Sequence, residues 1–251
     1  MRTLIIDMGN TRIKWSVREN RRWVAQGALP TARSDELSLL VSTLLPLSRA
    51  GATSVAGQQA VLDLETACRN CGLALRWISV TPEACGVRNL YQPGQLGTDR
   101  WAALVGARHL AGARPTVVVN AGTATTIDAL DAPGDFLGGM ILPGLSMMER
   151  ALRTGTAGLT EVPQGGFSPF PRSTADAITS GTLQATVGAI QRLTGMLKER
   201  TGQNVAQVLS GGQASCLMPL LEPTCQIEDL LVLEGIACLM DEPFSPVVPG
   251  E

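Results

Sequence analysis

Short apolar runs separated by turn residues open the chain. Residues 4–7, 13–17 and 23–29 each read as a strand, and the first two meet at Met8-Gly9-Asn10-Thr11. Apolar positions at helical spacing follow over 37–47. A short strand at 54–56, a helix over about 59–70 and a strand over 74–80 come next. After an irregular stretch, Thr98 can cap a helix that runs to about Leu110. Gly112 stops that helix and Pro115 precedes a new strand, which divides the chain into 1–114 and 115–251. The second part begins the same pattern again: a β-branched strand at 116–119, a turn at 120–123, and strands at 125–130 and 136–142. A long helix over about 174–200, a strand at 205–209 and an apolar helix at 230–240 complete it. Two parts that each open with strand, glycine turn and strand point to an internal duplication.

Composition narrows the class. Hydrophobic residues make up 45% and charged residues 17%, which describes a packed globular chain. The net charge of −2, with Lys and Arg scattered, argues against a nucleic-acid binder. No window approaches the roughly 20 apolar residues of a membrane span. The N-terminal run meets Asp7 too early for a signal peptide, so the expected location is the cytoplasm. Cys68 and Cys71 form a C-x-x-C, but the single histidine, His109, and the lack of a second pair leave no zinc set. Ordinary reduced cysteines and no protein-held metal cluster are expected.

Candidate chemistry gathers at three places. Asp7-Met8-Gly9-Asn10-Thr11 sits where the first strand turns back. Glycine there lets backbone amides approach a phosphate, and Thr11 adds a hydroxyl. Asp7 is placed to hold magnesium through water, and Lys14 to neutralise phosphate charge. Taken alone, the same residues make a plain hairpin turn. A second glycine turn, Asn120-Ala121-Gly122-Thr123-Ala124-Thr125-Thr126, occupies the equivalent place in the second part and supplies uncharged donors. There is no G-x-x-x-x-G-K-[ST] loop and no protein-kinase signature set. Gly97-Thr98-Asp99-Arg100 is the reactive candidate. A carboxylate in the first turn of a helix is stabilised by the helix dipole. In phosphoryl transfer it has to orient a hydroxyl more than deprotonate it early. Arg100 can bind a substrate carboxylate in a two-pronged contact. A helix start with a salt-bridging neighbour remains the alternative.

The ordered set of motifs resembles the type III pantothenate kinases. It comprises residues 7–14, Tyr91 with Gly97-Thr98-Asp99-Arg100-Trp101, Gly122-Thr123-Ala124-Thr125-Thr126 and Gly138-Gly139-Met140-Ile141-Leu142-Pro143-Gly144. Ser210-Gly211-Gly212 and Leu233-Glu234-Gly235 complete it. The resemblance implies an α/β fold of the actin-like ATPase superfamily, the acetate and sugar kinase–Hsp70–actin group, with two duplicated RNase H-like halves and nucleotide in the cleft. It implies a homodimer that phosphorylates pantothenate at its 4′-hydroxyl with ATP and Mg2+, the first committed step towards coenzyme A. Carried over by position, Asp7, Met8, Gly9, Asn10, Thr11, Arg12, Ile13 and Lys14 form the first phosphate loop, and Thr123 is a second ATP contact. Tyr91, Gly97, Thr98, Asp99 and Arg100 bind pantothenate, with Asp99 the proton acceptor. Thr174 matches a family residue that reaches pantothenate from the other subunit. Many relatives carry aspartate where this chain has Asn120, and there it helps hold an activating K+ or NH4+. The implied consequence is weaker or altered cation dependence.

Two other functions use the same pattern. A non-catalytic regulator would bind nucleotide and have no need of Asp99 beside Arg100. A polyphosphate or nucleotide phosphatase would position water and make little use of Tyr91 and Arg100.

Overall fold

A computed structural model describes residues 1–242. In chain order the elements begin with β1 (Arg2–Met8), β2 (Arg12–Glu19), β3 (Arg22–Pro30), α1 (Leu37–Thr43), β4 (Arg49–Ser54), α2 (Gln58–Asn70) and β5 (Leu75–Trp77). Then come β6 (Glu83–Ala84), β7 (Val87–Asn89), α3 (Thr98–Ala111), β8 (Thr116–Ala121), β9 (Ala124–Leu130), β10 (Asp135–Pro143) and α4 (Leu145–Gly155). The last are α5 (Thr174–Thr201), β11 (Ala206–Ser210), α6 (Ala214–Leu217), β12 (Cys225–Ile227) and α7 (Leu231–Asp241). They form two compact units. One holds Met1–Val87, Gln92–His109 and the chain from Val232. The other holds Arg88–Tyr91 and Leu110–Leu231.

In the first unit the sheet order is β3-β2-β1-β4-β5, with β1 antiparallel to β2 and parallel to β4. Leu4, Ile5, Ile6 and Met8 are all buried, as expected of a strand covered on both faces. β3 lies at the sheet edge and alternates exposed with partly buried positions. Helices α1 and α2 set Leu37, Val41, Leu64 and Ala67 into the core with Leu4, Ile6 and Val17. Arg49 donates to the Met240 carbonyl at 2.9 Å and pairs with Asp241 at 2.8 Å, which ties the end of α7 to β4.

In the second unit β8, β9 and β10 are antiparallel neighbours, while β11 runs parallel to β8 and β12 parallel to β11. The order β10-β9-β8-β11-β12 therefore repeats β3-β2-β1-β4-β5 in sequence and direction. Val117, Val119, Ile127 and Leu209 form the sheet side of this core, and Val187, Ile190 and Leu197 of α5 the helix side. The Ser173 hydroxyl caps α5 by accepting the Asp176 amide at 3.1 Å, and left-handed Gly202 ends it.

Two expectations need correction. The strand expected at 54–56 lies earlier, at Arg49–Ser54, because Ala50 and Ala52 are small enough to pack fully buried beside β1. The helix expected over 37–47 stops at Thr43, since the proline at 46 disfavours helical backbone at Leu45. Helix α7 packs almost entirely within the first unit. Its fit depends on Gly235, where an added Cβ would stand 1.7 Å from the Ala102 carbonyl oxygen of α3. Gly235→Ala should therefore destabilise the protein by about 3 kcal/mol, the upper range for overpacking. Gly195→Ala, with nothing within 4 Å of the new methyl, should be neutral or stabilising. Thermal melts of the two variants check the contrast, and equal melting temperatures would contradict it.

Candidate active site

β1 and β4 run parallel, so their C-terminal ends open on the same edge of the sheet, where open α/β sheets present their sites. Asp7 stands at that end of β1, facing Lys14 across the β1–β2 pairing and Thr53 across the β1–β4 pairing. The Thr53 hydroxyl donates to Asp7 Oδ1 at 3.2 Å. Burial, and then the negative charge of Asp99, push the Asp7 carboxyl up to about 6, against the weaker opposing pull of Lys14 and Thr53. A carboxyl held up by burial and by a neighbouring Asp99, beside a turn of exposed residues, suits a divalent cation with its phosphates.

The turn itself is closed by the Gly9 amide donating to the Arg12 carbonyl at 3.0 Å. Thr31 holds it from outside: its hydroxyl donates to the Gly9 carbonyl at 2.8 Å and its amide to the Thr11 carbonyl at 3.0 Å. Asn10, Thr11 and Arg12 are exposed. Met8 and Ile13 are fully buried, so what these two can offer a phosphate is backbone.

Helix α3 begins beside this turn within the same unit. The Thr98 hydroxyl reaches the Ser54 carbonyl at 3.5 Å, and Asp99 Oδ1 accepts the Arg100 amide at 2.8 Å. A Cβ at Gly97 would lie 2.6 Å from Asp99 Oδ1, so only glycine leaves this carboxylate its place. Arg100 is only 5% exposed, so it is a buried cation rather than a solvated helix-start residue.

The remaining expected residues lie in the second unit. Tyr91 donates its amide to Asn89 Oδ1 at 2.9 Å and stacks on Phe136 at 5.5 Å between ring centroids. Thr123 is exposed in the β8–β9 turn, and its carbonyl accepts the Gly144 amide at 3.0 Å. Asn120 pairs with Thr126 across that hairpin. Thr174 is the exposed first residue of α5 and lines an apolar groove of about 610 Å³ with Met148 and Leu152 of α4 and Ile178 of α5.

Thr31, Thr53 and Gln213 were not singled out by sequence. Gln213 donates its amide to the Ala121 carbonyl at 3.0 Å and accepts the Leu145 amide on its side-chain oxygen at 3.1 Å, joining the second turn to the start of α4. No motif marks these three, because each acts by a partner distant in sequence. The six cysteines are free, and burial, with Cys71 nearby, pushes the Cys68 thiol up to about 11, as expected of an inert thiol.

Solved structures share this mixed α/β fold. A Baf family protein from Campylobacter jejuni superposes with a TM-score of 0.58 at 19% identity, over 93% of this chain and 95% of that one. The ethanolamine utilization protein EutJ from Carboxydothermus hydrogenoformans gives 0.55 at 16% identity, over 95% and 89%. At the level of sequence, the family model for type III pantothenate kinases matches residues 3–195, and the chain belongs to that family. A type III pantothenate kinase of Aromatoleum aromaticum is 46% identical over 95% of this chain and 98% of its own. One from an Azoarcus species is 43% identical over 94% and 89%.

The raised Asp7 carboxyl has a measurable consequence. The folded chain holds this proton more tightly than the unfolded chain does. The resulting stability is present below about pH 4 and is lost as pH rises through about 6. In ligand-free protein, Asp7→Asn should melt a few degrees above wild type at neutral pH, and the gap should close towards pH 4. A gap independent of pH would show that burial does not raise this group.

Proposed function

We propose that this protein transfers the γ-phosphate of ATP to the 4′-hydroxyl of pantothenate, giving 4′-phosphopantothenate, the first step of coenzyme A biosynthesis. Family membership along nearly the whole chain supports the reaction. The observation that carries the residue roles is the electrostatic neighbourhood of Asp7 and Asp99 at the carboxyl ends of β1 and β4.

The amides of Asn10 and Thr11 and the Thr11 hydroxyl, with Lys14 and Thr123, bind the ATP phosphates, and Gly9 shapes the turn that presents them through its bond to Arg12. Met8 and Ile13 fix the turn from the core, and Arg12 lies exposed beside it. Magnesium, when bound, shields the phosphate charge, and Asp7 is the carboxylate that would hold it, through water. Tyr91, Gly97, Thr98 and Arg100 bind pantothenate, whose carboxylate suits the guanidinium of Arg100. Asp99 accepts the hydroxyl proton as the oxygen bonds to the γ-phosphorus and the bond to the ADP oxygen breaks.

We assign the apolar groove beside Thr174 to a second copy of the chain, so that Thr174 serves the partner's substrate. A monovalent cation acts with ATP, but Asn120 offers a carbonyl oxygen without charge, which makes dependence on K+ or NH4+ shallow. The cytoplasm is the proposed location. No helix among the described residues is long and apolar enough to cross a membrane.

The test is ADP release with Mg2+, with and without pantothenate and K+, the product being identified by mass. Pantothenate-dependent ADP and a phosphopantothenate mass are expected, with less than about threefold activation by K+. ADP release indifferent to pantothenate would hand the site to a hydrolase. Asp99→Asn should lower turnover at least about a hundredfold while MgATP still binds, in line with the loss of a general base. Parallel loss of binding would make Asp99 structural. For the dimer, Leu152→Glu in the groove should shift the mass measured by light scattering from two chains to one. A monomeric wild type would end that assignment.

A further inference from the structure

Thr53 lies outside the motifs that define the site, yet it is the residue through which β4 reaches Asp7. The parallel register sets it directly opposite Asp7, and it is completely buried. Its hydroxyl donates to Asp7 Oδ1 at 3.2 Å. The neighbouring backbone is engaged as well. Ser54 offers its carbonyl to Thr98, one residue before Asp99, and the Val55 amide donates to the Met8 carbonyl at 3.0 Å. Three successive residues at the end of β4 therefore touch the carboxylate, the start of α3 and the phosphate turn. A β-branched side chain on a strand has little rotamer freedom, so this hydroxyl is held in one direction. A hydrogen bond to a partly desolvated carboxylate also favours its charged form, the form that can hold a cation.

We propose that Thr53 is a positioning residue, whose hydroxyl fixes the Asp7 carboxylate in the orientation that receives the magnesium–nucleotide. The inference rests on the kinase reading. It separates from simple packing because two conservative changes pull the side chain apart. Thr53→Val keeps the shape and removes the donor. Thr53→Ser keeps the donor and removes the methyl.

The experiment measures MgATP dissociation constants by calorimetry, and KM and kcat for both substrates, on the full-length wild type and both variants. Thr53→Val should weaken MgATP binding about tenfold, the scale of one hydrogen bond to a charged group, and raise the MgATP KM by a similar factor. The pantothenate KM should stay within about twofold, and Thr53→Ser should bind MgATP within about threefold of wild type. The reverse order, with Val like wild type and Ser impaired, would show a packing role and overturn the proposal. So would equal losses in both variants and for both substrates. If the wild type binds MgATP but makes no phosphopantothenate, the kinase reading fails. The ranking of Val and Ser in MgATP affinity then still decides the role of Thr53.

Discussion

Covering β1 on both faces suits residues 4–6, which are Leu, Ile and Ile, but it draws the next residue, Asp7, partly away from water at the strand's end. A carboxylate there has its charged form penalised by burial and again by Asp99. The first unit answers with a lysine across one neighbouring strand and a hydroxyl across the other. Both are the weaker influences, so the site is left with a demand for positive charge that the protein alone does not meet. In the proposed function the magnesium ion that accompanies the nucleotide would supply that charge. The scaffold and the ligand chemistry are thus linked through one residue whose position follows from strand pairing.

Much of this scaffold was legible from period and punctuation. The three opening strands, α2, α3, α5 and the β8–β9 hairpin all carry runs long enough, or turns clear enough, to read locally. What was missed has a common cause. The centre of β4 is Ala-Gly-Ala, residues with weak strand preference, and it acquires its identity from lying between β1 and β5. Strands β6, β7 and β12 are two or three residues long and exist through their neighbours. Helix α4 has no counterpart among the elements expected from sequence, although its apolar positions, Met148 and Leu152 among them, lie one turn apart. The glycine at 235 could be seen, but that it faces α3 could not.

The site was legible in a similar proportion. Residues that present amides or charge from a turn occur as consecutive letters, so 7–14 and 97–100 stand out. Residues that hold those turns in place come from elsewhere: Thr31 fastens the first turn, and Gln213 fastens the second to α4. Arg100 shows the limit of reading letters. In sequence it was as easily a solvated partner at a helix start, whereas in the fold it is buried.

The duplication explains how labour is divided between the two turns. Superimposing the strand orders sets β8 on β1 and β9 on β2, so that Asn120 takes the place of Asp7, and Gly122 that of Gly9. Across the first hairpin Asp7 faces Lys14; across the second Asn120 faces Thr126. One copy keeps a charged pair and the other a neutral pair on the same backbone plan. A neutral pair can direct hydrogen bonds at a phosphate but cannot hold a metal by charge or take up a proton near neutral pH. In the proposed function the first copy, which also carries Asp99, would therefore take the proton and the magnesium, and the second copy would serve phosphate recognition. Asn120 then completes a separation that the geometry of β1 had already begun.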